Sequence, residues 1–184
     1  MSGRFEIIYA DPPWSYDDRG IRGSAEGHYK TMSLDDICKL PVNNLAADNC
    51  ALFVWGTYPT LPNMFRVIEA WGFRYKTLAF QWVKLNRKNQ EPFFGLGHWT
   101  RGNTEGCYLA VKGKPQRIDS AVSQIVMGDE LVASPVGSHS AKPPEVRERI
   151  VKLMGDLPRI ELFARERVAG WDGWGNEYPK EQHT

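Results

Sequence analysis

Directly behind the apolar run Phe5 to Ala10 stand Asp11, Pro12, Pro13 and Trp14: an acid, two conformationally fixed residues and an indole. The Asp11 carboxylate and the Pro12 backbone carbonyl can each accept one hydrogen of an exocyclic amine. Such an amine on a purine is a weak nucleophile, because its lone pair is shared with the ring. Two placed acceptors draw the nitrogen toward tetrahedral geometry and turn the lone pair toward an electrophile. Successive prolines lack N–H donors and have fixed φ angles, so they can hold a carbonyl outward, unclaimed by a ladder hydrogen bond. Trp14 offers a flat surface for an extruded base, a contact worth roughly 1–3 kcal/mol per base. A sulfonium methyl group is an electrophile that needs alignment above all, and orienting two reactants contributes roughly 7–11 kcal/mol. Taken alone, the same four residues also describe a turn after a strand, with Trp14 buried on a core.

That chemistry needs a frame. The runs Phe5 to Ala10, Ala51 to Trp55, Leu78 to Val83, Cys107 to Val111 and Arg159 to Phe163 read as buried parallel strands. Helices are predicted from Leu34 to Leu40, capped by Ser33 and stopped by Pro41, and from Pro62 to Trp71, with Gly72 as a left-handed cap. A third runs from Pro143 or Pro144 to Met154, where Val146, Ile150, Leu153 and Met154 recur at helical spacing before Gly155. Strands alternating with helices predict one α/β domain over residues 1–184, with a mostly parallel sheet covered by helices on both faces. Ligands of such sheets bind beyond the carboxyl ends of the strands. Ser15 to Thr31 and Asn86 to Thr104 read as glycine-containing surface loops, either binding loops or plain connections.

Composition narrows the class. Apolar residues at 42% and charged residues at 24% exclude a disordered or fibrous chain. With 23 basic against 22 acidic residues, any attraction to phosphate must come from local clusters. No stretch reaches the roughly 20 apolar residues of a membrane span, and Met1 to Arg4 carries no signal-peptide pattern, which predicts a cytoplasmic protein. Cys38, Cys50 and Cys107 lack metal or redox spacing and are expected to be buried thiols; the four histidines show no ligand spacing either, so no metal is expected.

In these motifs the chain resembles the MT-A70 group of adenine-N6 methyltransferases, relatives of the permuted β-class amino methyltransferases. The resemblance covers nearly the whole chain. It rests on Ala10 to Trp14, Tyr29 to Ser33, Leu52 to Trp55, Gly97 to Arg101, Val111 to Gly113, Lys142 to Glu145, Ile160 to Arg165 and Gly175 to Glu177. It implies a Rossmann-like methyltransferase fold with circularly permuted motif order, the catalytic segment early and the cofactor strand with Glu161 and Phe163 late. The implied cofactor is S-adenosylmethionine, with Lys142 on its carboxylate and Asp11 on its amine. Asn176 and Glu177 would meet the ribose, Arg165 would lie beside them, and Tyr29 would belong to a loop closing over the site. Ala164, Ala141, Glu177 and the pair Glu166-Arg167 depart from the residues usual in the family. A cation such as Lys142 at a helix start is unfavourable unless an anion lies close by.

Nucleic acid is the expected partner. Tyr16, Arg19, Arg22, Lys30, Lys88, His98, Trp99 and Arg101 place cations and aromatics in the two loops, a mixture suited to phosphates and bases and equally to a solvated surface. A duplex adenine would have to be extruded or met already unpaired. DNA is the favoured substrate, by analogy with compact modification enzymes, with RNA as the alternative, and related enzymes point to a homodimer. A noncatalytic nucleic-acid-binding subunit is a second reading, opposed by the intact Asp11 to Trp14. A dinucleotide-dependent oxidoreductase is disfavoured, since no Gly-x-Gly-x-x-Gly opens a helix after a strand.

Overall fold

The computed structural model describes residues 4–15, 31–86, 88–93, 95, 99–129 and 141–179. Among them are the strands β1 (Phe5–Ala10), β2 (Ala46–Gly56), β3 (Arg74–Leu85), β4 (Thr104–Lys112), β5 (Ile125–Asp129), β6 (Arg159–Leu162) and β7 (Asp172–Trp174). They form one sheet in the order β5-β3-β4-β2-β1-β6-β7. β4 runs antiparallel to both its neighbours, and every other adjacent pair is parallel. The run Cys107 to Val111, expected as a parallel strand, is therefore corrected to an antiparallel one. An apolar run reports burial on two faces and carries no direction.

The helices are α1 (Leu34–Lys39), α2 (Leu61–Ala70) and α3 (Glu145–Met154). Ser33 caps α1, its hydroxyl oxygen accepting the Asp36 N–H at 3.1 Å. Gly72, at φ +80°, lets the chain turn out of α2, a conformation costly for any residue with a Cβ. On one face of the sheet, Ile37 of α1 and Met64, Val67 and Ile68 of α2 cluster with Ile8, Leu52 and Val54. On the other, Val146, Ile150 and Met154 of α3 cluster with Ile7, Tyr9, Phe53 and Trp55. Central strands apolar at every position thus serve two cores at once, and the arrangement is Rossmann-like. Cys50 and Cys107 are buried, while Cys38 is only half-buried. Among the described residues no helix is long and apolar enough to cross a membrane.

Two strands escaped sequence reading. In β5 Val126 is buried, while its neighbours Ile125 and Met127 are 55% and 62% exposed, so hydrophobicity does not report which side faces inward. β7 has three residues, too few to show a period. β2 and β3 also reach further than their apolar cores, through the polar segments at residues 46–50 and 74–77.

Candidate active site

The parallel strands end, and β4 begins, along one edge of the sheet. Asp11 is the first residue after β1, Lys84 is next to last in β3, Glu105 is second in β4, and Lys142 precedes α3 by three positions. Side chains alternate along a strand. Asp11 is therefore in phase with Tyr9, Lys84 with Phe80 and Trp82, and Glu105 with Cys107, all on the α3 side of the sheet.

The four charges meet there. Lys142 Nζ lies 3.1 Å from Asp11 Oδ2 and 3.1 Å from Glu105 Oε2, and Lys84 Nζ lies 2.7 Å from Glu105 Oε1. Beneath them is an aromatic floor: Lys142 Nζ is 5.6 Å from the Trp55 ring centre, Lys84 Nζ is 5.0 Å from that of Trp82, and the two indoles meet edge to face. Cations over indole faces are stabilised by the ring quadrupole. The Trp55 ring N–H donates to the Tyr9 hydroxyl at 2.6 Å. Burial pushes the Tyr9 hydroxyl pKa well up, with the Cys107 thiol and the Glu161 and Asp11 carboxylates adding to it, so the phenol stays neutral.

Burial alone would raise the pKa of Glu105, yet Lys142 and Lys84 overcome it and hold the carboxyl below the usual glutamate value. Burial alone would lower Lys142, yet Asp11 and Glu105 hold it above the usual lysine value. Both remain charged at neutral pH. These two anions resolve the unfavourable position of a lysine ahead of a helix. The Asp11 side chain is 27% exposed, more than those of Lys142 and Glu105. Among the described residues only Lys142 pairs with it.

The structure corrects two readings of the Pro-Pro-Trp segment. The Trp14 indole is 6% exposed, sits in the core under α1 and α2, and donates its ring N–H to the Trp55 carbonyl at 3.1 Å. It has no free face for a stacked base, because burial of its large apolar area and of its one donor is satisfied inside. The Pro12 carbonyl, expected to be unclaimed, accepts the Trp14 backbone N–H at 2.9 Å. A carbonyl oxygen has two lone pairs, so one remains. Met32 N–H donates to the Pro13 carbonyl at 3.0 Å and fastens the segment.

The ends of β6 and β7 form a second cluster. Phe163 has φ +62°, a sparsely populated conformation for a bulky residue, and its ring meets Trp174 edge to face at 5.7 Å. The Ala164 N–H donates to the Trp174 carbonyl at 3.0 Å. A Cβ at Gly175 would fall 2.6 Å from the Ala164 carbonyl oxygen, so only glycine lets the two strand ends approach this closely. That approach sets Arg165 beside Glu177, Arg165 Nε lying 3.6 Å from Glu177 Oε2, while Asn176 lines a cavity with Phe5, Leu45 and Ile160. Glu161 does not join them through its side chain, which corrects its expected role. The Arg147 guanidinium takes both its oxygens, at 2.7 and 3.0 Å, on the α3 side of the sheet.

Lys88, Trp99 and Arg101 are exposed on the β3–β4 connection, Trp99 at 99%. That connection is rooted at Lys84, whose N–H donates to the Asn103 carbonyl and whose carbonyl accepts the Phe93 N–H. Tyr16, Arg19, Arg22, Tyr29, Lys30 and His98 lie outside the described residues. Sequence reading missed Lys84 and Glu105. The available signal was phase, since a charge in step with buried aromatics along a strand must have a partner.

The family model MT-A70 matches residues 5–177. The chain is 35% identical to the type II methyltransferase M.MunI of a Mycoplasma species, over 96% of this chain and 78% of that protein. It is 31% identical to an MT-A70-like N(6)-adenosine-methyltransferase of Arabidopsis thaliana and 32% identical to the N(6)-adenine-specific methyltransferase METTL4 of Homo sapiens. Those matches cover 95% and 98% of this chain but 24% and 39% of the longer relatives. With the permuted order of its motifs set on a Rossmann-like sheet, the chain belongs to the MT-A70 family of methyltransferases.

Proposed function

We propose that this chain transfers a methyl group from S-adenosylmethionine to the N6 amine of adenine in DNA. One observation carries the reading: at the open end of β1, Asp11 has one carboxylate oxygen held by Lys142 and only that partner among the described residues, next to a Pro12 carbonyl with a lone pair to spare.

The residues fit the donor. An ammonium has three N–H groups. Two of those of Lys142 face Asp11 and Glu105, and the third is available to the cofactor's carboxylate. Asp11 supplies a carboxylate for its amine. Asn176 and Glu177 supply groups for its ribose, Arg165 and Phe163 flank them, and Tyr29 belongs to the loop that covers the site. When bound, S-adenosylmethionine supplies an electrophilic methyl on a sulfonium centre. Asp11 and the Pro12 carbonyl accept the two hydrogens of the adenine amine and keep its lone pair aimed at that methyl. Asp11 would take the proton that the amine gives up as the methyl passes to nitrogen, its bond to sulfur breaking to leave a neutral thioether, and would pass that proton to solvent.

DNA is preferred because the chain matches the type II methyltransferase over 78% of that protein's length, against 24% for a relative whose name specifies adenosine. Lys88, Trp99 and Arg101, with Tyr16, Arg19, Arg22, Lys30 and His98, are the proposed nucleic-acid contacts. RNA is the second reading, favoured by those adenosine-named relatives. The test is transfer of labelled methyl to matched unmodified DNA and RNA oligonucleotides, followed by digestion to nucleosides. Label in N6-methyldeoxyadenosine is expected. Label confined to RNA moves the assignment to the second reading, and label on another base, or on neither polymer, rejects both.

A further inference from the structure

Lys84 sets its ammonium against Glu105, and its side chain is only 13% exposed. An enclosed charge is costly unless its partner is well placed. One partner is Glu105, whose two oxygens are divided between two lysines, Oε1 with Lys84 at 2.7 Å and Oε2 with Lys142 at 3.1 Å. The carboxylate therefore cannot turn wholly toward Lys142 while Lys84 holds its other side. Lys84 itself is fixed at both backbone groups, through Asn103 and Phe93, and rests over Trp82. The chain Lys84, Glu105, Lys142, Asp11 alternates in sign and sums to zero.

We propose that Lys84 is a positioning residue for methyl transfer, acting through Glu105 to fix Lys142 and supplying one positive charge to the site. The inference rests on the proposed function, since it takes Asp11 and Lys142 as the groups that face adenine and donor. Two consequences follow from removing the Lys84 charge. Glu105 turns toward Lys142 and competes with Asp11 for its N–H donors, which loosens the acceptor site. The site also becomes one charge more negative, which favours the sulfonium donor, a net cation, over the neutral thioether product left after transfer. Neutralising Glu105 does the opposite and makes the site one charge more positive. A lysine with a merely structural role would shift the affinities for donor and product together.

The experiment is calorimetric binding of S-adenosylmethionine and S-adenosylhomocysteine to wild type, Lys84→Met, Lys84→Arg and Glu105→Gln, with single-turnover transfer and thermal unfolding alongside. Lys84→Met is expected to slow transfer about tenfold or more and to raise the donor-to-product affinity ratio several-fold. Lys84→Arg should restore both, and Glu105→Gln should move the ratio the other way. If Lys84→Met does not fold, the nearly isosteric Glu105→Gln carries the test. An unchanged ratio in the folded variants, or transfer by Lys84→Met at the wild-type rate, overturns the inference while an active wild type leaves the proposed function standing. A wild type that neither binds the donor nor transfers methyl sinks both.

Discussion

At the ends of β1, β3 and β4 the charged groups are enclosed, with the side chains of Lys84, Glu105 and Lys142 only 12–16% exposed. At the ends of β6 and β7, Arg165 and Glu177 stand 3.6 Å apart with their side chains 40% and 61% exposed. Both clusters occupy the same edge of one sheet, yet they answer to different physics. Enclosed charges persist only when each finds a partner in good geometry, so the first cluster is preorganised before any ligand arrives. An exposed pair contributes about 0–1 kcal/mol and exchanges its partner readily. The difference suits rigid placement of reacting groups at one end and adaptable grip on a nucleoside at the other.

The largest break in that comparison should come from Asp11→Ala. Loss of the acceptor is expected to slow single-turnover methyl transfer about a thousandfold, with the fold retained and the melting temperature lowered because Lys142 loses one of its two anions. Trp14→Ala should instead be a stability variant, since the indole fills the core and satisfies the Trp55 carbonyl. A loss of about 3 kcal/mol in denaturant unfolding is expected, with the oligonucleotide KM of the folded fraction nearly unchanged. A large rise in that KM would restore the stacking role that burial denies. Glu177→Ala should weaken donor binding about tenfold in calorimetry, with stability altered by less than about 1 kcal/mol. A loss of kcat at saturating donor would erase the contrast between the two clusters.

The smallest effect concerns pH. Because the folded pKa of Glu105 is lowered, its contribution to stability is full above the ordinary value of 4.5 and is lost as pH falls through the lower folded value. Lys142 is raised, so its contribution is full below the ordinary 10.5 and is lost only as pH climbs through the higher folded value. Between those limits the pair stays ionised. Glu105→Gln should therefore narrow the difference in melting temperature between pH 6 and pH 3. An acid limb identical to wild type would show that the enclosed carboxylate gains nothing from its lysines.

Legibility followed burial. β1 and the middle of β2 could be read because both faces are apolar, whereas β5 and β7 lie at the sheet's edges, where few side chains need to be. The direction of β4 is a property of its neighbours and leaves no mark in its own residues. Asp11 and Lys142 stood out by motif. Glu105 offered only its phase along the strand, and its partner is identified by the register that sets it opposite Trp82 and beside Lys84. Trp14 was misread because the group that claims its N–H, the Trp55 carbonyl, lies 41 residues further along the chain.

The central claim is that Asp11 works as a hydrogen-bond acceptor for the adenine amine. It is tested most directly by single-turnover transfer with Asp11→Asn beside Asp11→Ala at saturating donor. The amide oxygen of asparagine can still accept, so Asp11→Asn should exceed Asp11→Ala about tenfold or more. Equal rates in the two variants, both folded and both donor-bound, would contradict it.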